Sequence, residues 1–149
     1  MVGDGSYMMA NSELATSVML GKKIIVVILD NRGYGCIQRL QTAVGSPRFN
    51  NLLDDCVPEG GERSNIDFAL HARAMGADAV HVKDIAELKA AMVTARAAKR
   101  TQVIVIDTTH TRTTDGGCWW EVGIPEVSTR PEVLEAHTRY VEAQKAQRV

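Results

Sequence analysis

Six consecutive apolar residues at positions 24–29, Ile-Ile-Val-Val-Ile-Leu, constrain the fold more than any other feature of the sequence. Most of them are β-branched, and the run is closed by Asp30 and Asn31. Such a run is typical of a central strand in a parallel sheet, which is buried on both faces. The polar residues then follow the carboxyl end of the strand, where open α/β sheets bind their ligands. The sequence therefore predicts a ligand site at this edge of a parallel sheet.

A second polar turn lies near the start of the sequence, where Gly3, Asp4, Gly5 and Ser6 follow each other. We expect this turn at the end of a neighbouring strand whose last residues are positions 1–2. A strand-helix-strand unit with the usual right-handed crossover would place it beside the polar end of the apolar run. The fold would thus bring together two turns that are far apart in the sequence.

The remaining pattern alternates helices with strands. Residues 7–20 predict a helix that ends at Gly21. The elements predicted after the apolar run are a short helix at 36–41, a helix from Asp67 to Gly76, a strand at 79–82, a helix capped by Asp84 and Glu87, and a strand at 103–106. The helical residues expected to face the core are Leu14, Val18 and Met19, then Phe68, Ala72 and Met75, and then Ile85, Leu88, Met92 and Ala95. This alternation specifies a mostly parallel α/β sheet.

The polar turns carry the ligand types that a magnesium-diphosphate site needs. Magnesium prefers hard oxygen ligands in octahedral geometry, and Asp4, the Asn31 amide oxygen and the Gly33 carbonyl are such ligands. Glycines allow close approach of a diphosphate, a hydroxyl can donate to it, and amides at the start of a helix can point at it. The residues expected around the diphosphate are therefore Gly3, Gly5, Ser6, Gly33, Tyr34 and Gly35. Each turn alone is more often a plain surface turn, but the two together favour the site.

The spacing between the turns resembles a known cofactor fingerprint. Gly3-Asp4-Gly5-Ser6, followed at a fixed distance by Asn31, is similar to the thiamine diphosphate motif of the acetolactate-synthase-like enzymes. The resemblance implies thiamine diphosphate and Mg²⁺ as cofactors, with Asp4, Asn31 and the Gly33 carbonyl as metal ligands. It covers about residues 2–109 and implies a doubly wound sheet flanked by helices.

Within that family, residues 30–37, 119–122 and 125–128 are most similar to a member of inositol catabolism. The resemblance implies hydrolytic cleavage of a C–C bond in a cyclic 1,2-diketone, giving 5-deoxy-glucuronate. No residue identifies that substrate independently. Two alternatives remain open. One is another thiamine diphosphate enzyme, a carboligase or decarboxylase, and the other is a truncated α/β module that is inactive or binds a partner through its exposed half-sheet.

The sequence opens almost at the first ligand-bearing turn, with residues 1–2 as the only strand before it. We therefore expect a carboxyl-terminal part of a longer enzyme. The family implies that a pyrimidine-binding domain, usually contributed by a second subunit of a homodimer or homotetramer, carries the activating glutamate. No residue of this chain is accordingly assigned a catalytic role.

The chain divides into a partial cofactor-binding domain, residues 1–110, and a loop and helix, residues 111–149, that pack on it. Trp119 and Trp120 are expected to anchor this tail, and one ring could instead line a subunit interface or the substrate side of the site. The last helix is predicted to start near Pro131 and to run to about position 147. Its residues expected along one side are Leu134, His137 and Val141.

One further segment, residues 43–64, has no apolar period and is predicted to be a long loop. Irregular connections of this length are uncommon in compact domains and are often functional. Ordering of the loop over bound cofactor and a plain surface loop are both open readings.

Composition excludes several classes of protein. The formal net charge is −1 and the basic residues are scattered, so neither a nucleic-acid footprint nor a polybasic membrane patch is predicted. No apolar run approaches the roughly 18 residues of a membrane span, and we expect a cytoplasmic protein. The three cysteines and four histidines have no zinc-site spacing, and the cysteines do not suggest a disulfide framework.

Overall fold

The computed structural model describes residues 1–109, residue 124 and residues 127–146. The strands are β1 Val2–Gly3, β2 Ile25–Asp30, β3 Asp78–Val82 and β4 Gln102–Asp107. They form one sheet in the order β1-β2-β4-β3, and every pairing is parallel. The apolar run therefore forms a strand between two neighbours, and the predicted parallel α/β sheet is confirmed.

The central strand is buried as the apolar run predicts, but it is shifted by one residue. Ile28 is completely buried and Val27 nearly so, whereas Ile24 lies outside the strand and is 40% exposed. The strand instead extends to Asp30, whose partner in β4 is Asp107. This shift brings a carboxylate into the end of the strand, beside the other polar residues at that edge.

Helices cover both faces of the sheet. The helices are α1 Asp4–Ala10, α2 Glu13–Met19, α3 Gly35–Ala43, α4 Phe68–Ala74, α5 Ile85–Ala97 and α6 Pro131–Ala146, with a 3₁₀ turn at Leu53–Asp55. Val103 and Val105 of β4 join a core cluster with α1, α2 and α4. Ile104 and Ile106 join a second cluster with α5. Alternate side chains of a strand point to opposite faces, so β4 contributes to both cores.

The single helix predicted at 7–20 is wrong, because two helices replace it. The helix is interrupted at Asn11 and Ser12, where the side-chain amide of Asn11 donates to the Met8 carbonyl at 2.9 Å. Asparagine and serine side chains compete for backbone hydrogen bonds in this way and favour helix ends. Leu14 is buried as expected, whereas Met19 is 80% exposed, contrary to its predicted place in the core.

The helix ends predicted around α4 and α5 are confirmed. The Asp67 carboxylate accepts from the Leu70 amide, and the Asp84 carboxylate accepts from the Glu87 amide, each at 2.8 Å. Gly76 ends α4 with a φ of +89°. Ile85 is 60% exposed in the first turn of α5, so its predicted place in the core is wrong.

Helix α6 begins at Pro131 as expected, but the prediction of its buried side is wrong by one position. Val133 is 2% exposed and Ala136 is 6% exposed, whereas Leu134 is 55% exposed. The reason is a close contact with Gly45, where an added Cβ would lie 2.3 Å from the Glu132 carbonyl oxygen. This contact fixes which side of the first turn faces the domain.

The long segment after α3 is partly built into the core. Leu52 is 1% exposed, and it forms an isolated antiparallel bridge with Gly33. The predicted loop thus contains one short 3₁₀ turn and is anchored to the domain at Leu52. The predictions for Trp119 and Trp120 fall outside the described residues.

Candidate functional site

Asp4 lies at the carboxyl edge of the sheet, where β1 passes directly into α1. The pairing of β1 with β2 places Gly3 opposite Leu29, so Asp4 lies beside the turn that follows β2. The Asp4 side chain is 1% exposed. Its Oδ2 accepts from the backbone amide of Gly33 at 2.5 Å, and its Oδ1 accepts from the backbone amide of Asn31 at 3.4 Å. The structure thus brings together the two turns that the sequence predicts to meet.

The Asn31 side chain completes a cluster of polar atoms with Asp4 and Gly33. One terminal atom of its amide lies 2.9 Å from the Gly33 carbonyl oxygen and 3.0 Å from Asp4 Oδ1. With nitrogen at this point, the amide donates to both neighbours. With oxygen there, three acceptor oxygens converge, and only a cation among them makes that arrangement favourable.

The spacing of these atoms fits a small hard cation. Octahedral Mg²⁺ has ligands at about 2.0–2.1 Å, which puts adjacent ligand oxygens about 2.9 Å apart. The distances from the terminal atom of the Asn31 side chain to Gly33 and Asp4, 2.9 and 3.0 Å, agree with that edge length and equally with N–H···O hydrogen bonds. The donor set of one carboxylate, one amide and one carbonyl also matches the preference of Mg²⁺ for oxygen.

Two residues of the turn have backbone conformations that favour glycine. Gly33 has a φ of +134°, and a Cβ there would lie 2.5 Å from the Asn51 carbonyl oxygen. Arg32 has a φ of +66° although it is not glycine. The Asp30 carboxylate accepts from the Arg32 amide at 2.8 Å and so stabilises this conformation. Asp30 is 8% exposed, and burial is the main factor that raises its pKa.

Gly5 and Gly35 make room for protein atoms. A Cβ on Gly5 would lie 2.7 Å from the Tyr34 ring, and one on Gly35 would lie 2.7 Å from the Asn31 amide. Gly3 has no such neighbour within 4 Å. From the sequence, we expect these glycines to be needed for the close approach of a phosphate. Packing within the described residues already explains why Gly5 and Gly35 have no side chain.

Helix α3 begins directly after the turn that follows β2, residues 30–34. The Tyr34 amide donates to the Asn51 carbonyl at 2.7 Å, so it is already used within the protein. The next amides, of Gly35 and Cys36, have no acceptor within the helix because they belong to its first turn. These two amides are therefore without a partner in the helix, although Gly35 itself is buried, and Ser6 has an exposed side chain on α1.

A cleft of about 270 Å³ lies along the same sheet edge and was not predicted. Its lining residues are Asp30, Arg32, Asn65, Ile66, Asp67, Phe68, His81, Val105, Asp107 and Thr108. Two of these residues contact each other, since His81 Nε2 lies 2.8 Å from Asp107 Oδ1, and both side chains are exposed. The sequence gives no local signal for this cleft, because its walls come from four separate segments.

Within the described part of the chain, no cluster of three or more His, Cys, Asp or Glu side chains could hold a metal. A metal at this edge therefore depends on the Asn31 amide and the Gly33 carbonyl beside the single carboxylate of Asp4. Among the same residues, no helix has both the length and the apolar character needed to cross a membrane.

The family model of the thiamine pyrophosphate enzyme C-terminal domain, described as TPP-binding, matches residues 1–107. This range contains every residue of the candidate site. The chain belongs to this family. Thiamine pyrophosphate, also called thiamine diphosphate, is thus the cofactor that the family's domain binds, and the resemblance to such enzymes is confirmed.

Relatives of this thiamine pyrophosphate domain are named as hydrolases. The Clostridium botulinum protein named 3D-(3,5/4)-trihydroxycyclohexane-1,2-dione hydrolase is 38% identical over 91% of the chain and 22% of its own length. The Bacillus subtilis protein of the same name is 36% identical over 91% of the chain and 21% of its own length. The chain thus spans about a fifth of these relatives.

A solved structure supports the same fold. Benzoylformate decarboxylase from Polynucleobacter necessarius is similar with a TM-score of 0.62 and 27% identity, over 73% of this chain and 19% of that one. The thiamine pyrophosphate domain described here therefore has relatives whose names give different reactions.

Proposed function

We propose that this chain anchors the magnesium-diphosphate end of thiamine diphosphate. The observation that carries the proposal is the convergence of Asp4, Asn31 and Gly33, with the Asn31 amide 2.9 and 3.0 Å from the other two. Asp4 Oδ1, the Asn31 amide oxygen and the Gly33 carbonyl would hold Mg²⁺. Asp4 is buried at this edge, and the backbone amides of Gly33 and Asn31 hold its carboxylate in place beside the other two groups.

The residues around these ligands would hold the diphosphate. The amides of Gly35 and Cys36, at the start of α3, lie where a helix favours an anion. The Ser6 hydroxyl, on α1 beyond Asp4, would donate to the same group. Gly3, which leaves open space beside its Cα, would let the backbone approach it.

In the complete enzyme, we propose hydrolytic cleavage of a C–C bond in a cyclic 1,2-diketone. Trihydroxycyclohexane-1,2-dione and water would give 5-deoxy-glucuronate, as part of myo-inositol catabolism. The support is the 36–38% identity to hydrolases with that substrate in their names. When bound, thiamine diphosphate supplies a nucleophilic carbon and an electron sink for the breaking bond, and the protein orients it.

The proposed partner is a pyrimidine-binding domain, contributed by a second subunit of a homodimer or homotetramer. That domain would supply the activating glutamate, so this chain contributes binding and orientation. A cytoplasmic location, the absence of nucleic-acid binding and the division of the chain near residue 110 stay predictions.

Another reaction of the same cofactor is the second candidate. The 27% identity to benzoylformate decarboxylase favours it over an inactive module. Both candidates share the anchor and differ in the substrate, which this chain alone does not specify.

Calorimetric titration of thiamine diphosphate into the 149-residue chain tests the anchor. We expect binding that requires Mg²⁺, and loss of at least about tenfold in affinity for Asp4→Asn and for Asn31→Ala, because the first removes the negative charge of one metal ligand and the second removes another ligand. Asp107→Asn is the matched control, since its carboxylate lies at the same sheet edge but is 75% exposed.

Urea unfolding of each variant shows whether the sheet is intact. Binding of equal strength with and without Mg²⁺, or unchanged affinity in both ligand variants, would contradict the proposed site.

A further inference from the structure

The metal-ligand turn, residues 30–34, is paired with the middle of the long loop, residues 44–67. The Leu53 amide donates to the Arg32 carbonyl at 2.8 Å, and the Tyr34 amide donates to the Asn51 carbonyl at 2.7 Å. These bonds form a short antiparallel pairing around Gly33. The carbonyl proposed as a metal ligand is therefore positioned by the long loop as well as by β2.

The Arg32 side chain ties two separate parts of the long loop to this turn. Its Nε lies 3.2 Å from Asp54 Oδ1, and its terminal nitrogen donates to the Ser64 carbonyl at 2.5 Å. Arg63 is a weaker contact of the same carboxylate, at 3.9 Å. One guanidinium thus joins the start and the end of the segment between positions 54 and 64.

The backbone conformation of Arg32 links its contacts with Asp54 and Ser64 to the proposed metal site. Its φ of +66° is unfavourable for a residue with a side chain, and such conformations persist only where surrounding contacts determine them. Arg32 lies between Asn31 and Gly33, the two ligands of the turn. Its conformation therefore decides how the Gly33 carbonyl is oriented relative to the Asn31 side chain.

We propose that Arg32 is a positioning residue that couples the order of the long loop to metal binding. The proposal rests on the proposed function and extends it to residues that do not contact the metal. A loop held by Arg32 and Asp54 keeps Gly33 in its ligand orientation, and a bound metal keeps the turn in the conformation that the loop recognises. Because coupling is reciprocal, metal must stabilise the loop by the same factor by which the loop strengthens metal binding.

The test uses Mn²⁺ as the probe, with thiamine diphosphate at saturating concentration, followed by electron paramagnetic resonance in the full chain. Arg32→Gly removes the side chain but tolerates the positive φ, and Asp54→Ala breaks the ion pair without changing the turn. We expect each to weaken Mn²⁺ binding by about tenfold, with the double variant no weaker than either single one. Arg48→Ala is the matched control, because Arg48 pairs with Asp55 at 2.8 Å in the same loop without touching the turn.

A second readout follows the loop directly. Arg63 is 72% exposed and offers a trypsin site within the loop. Mn²⁺ should slow cleavage after Arg63 in the wild type and in Arg48→Ala, but not in Arg32→Gly or Asp54→Ala. A purely structural role of Arg32 would change the cleavage rate without changing its response to metal.

Mn²⁺ affinity in Asp54→Ala equal to that of the wild type would overturn the coupling, even if Arg32→Gly failed to fold. The same conclusion follows if Mn²⁺ binds the wild type without slowing cleavage after Arg63. Absence of any Mn²⁺ binding by the wild type would instead overturn the proposed metal site and the coupling together.

Discussion

At the scale of single residues, the turn at residues 30–34 shows which contacts can be predicted from local sequence and which cannot. Asp4, Asn31 and Gly33 are predictable as neighbours, because each follows a strand whose apolar residues are evident. The contacts of Arg32 and Leu52 are not, since they join segments with no shared pattern. The apolar pair Leu52 and Leu53, within a mostly polar segment, is the sequence signal that could have indicated this pairing.

Tyr7 gives a residue-scale prediction about alkaline pH. Its side chain is 5% exposed, its hydroxyl lies 2.8 Å from His71 Nδ1, and its burial raises the pKa of the phenol. The folded chain therefore holds the phenolic proton more tightly than the unfolded chain does. This contribution to stability is complete below the unfolded pKa of about 10 and is lost as pH rises through the folded pKa.

We expect Tyr7→Phe to lower the free energy of unfolding by about 1 kcal/mol at neutral pH, through the lost hydrogen bond. Above pH of about 10, stability should fall less steeply than in the wild type. Urea unfolding at a series of pH values measures both effects. Tyr34→Phe, which changes a tyrosine that is 42% exposed, is the control, and equal alkaline slopes for Tyr7→Phe and the wild type would contradict the prediction.

At the scale of helices and strands, the strands and the helix caps were predictable and several buried faces were not. β2 and β4 follow from continuous apolar runs, and Asp67 and Asp84 cap helices through local hydrogen bonds. The buried side of α6 depends instead on the partner against which it packs. Periodicity alone cannot choose between adjacent positions when apolar residues lie at both.

Substitution of Gly45 tests how helix α6 packs against the domain. Gly45 and Gly60 both have positive φ, +82° and +68°, so alanine should cost about 1–2 kcal/mol at either through the backbone. Gly45→Ala also forces a Cβ to within 2.3 Å of the Glu132 carbonyl oxygen, whereas a Cβ on Gly60 meets nothing within 4 Å. We therefore expect Gly45→Ala to be less stable in urea than Gly60→Ala and to loosen α6.

Proteolysis of α6 provides the independent measurement. Cleavage after Arg139, in the middle of the helix, should accelerate in Gly45→Ala and not in Gly60→Ala. Equal stability and equal cleavage in the two variants would show that α6 does not depend on this contact.

At the scale of the whole molecule, the sheet order explains why distant sequence segments form one site. Parallel pairing puts the carboxyl ends of β1, β2 and β4 at one edge, where Asp30 and Asp107 are register partners. The parallel class was predictable from the alternation of elements. The cleft at this edge was not, because no single segment encodes it.

The proposed anchoring role is tested at this same scale, by a chimera in which the chain replaces the matching 22% of the Clostridium botulinum hydrolase. We expect turnover of trihydroxycyclohexane-1,2-dione, because the recipient would supply the remaining domains and this chain would supply the cofactor anchor. Asn31→Ala in the chimera should abolish turnover. A folded chimera that binds thiamine diphosphate but does not turn over the dione would favour the second candidate.

The two possible orientations of the Asn31 side-chain amide bear on how the chain folds before it binds its cofactor. Turned one way, its nitrogen bridges Asp4 and Gly33 at 3.0 and 2.9 Å, and turned the other way, its oxygen takes a place in a ligand set. In the proposed site, the same side chain would thus stand in for the metal before binding it. A newly made chain would fold with the proposed ligands already assembled, and loading or losing the ion would need only the rotation of one amide.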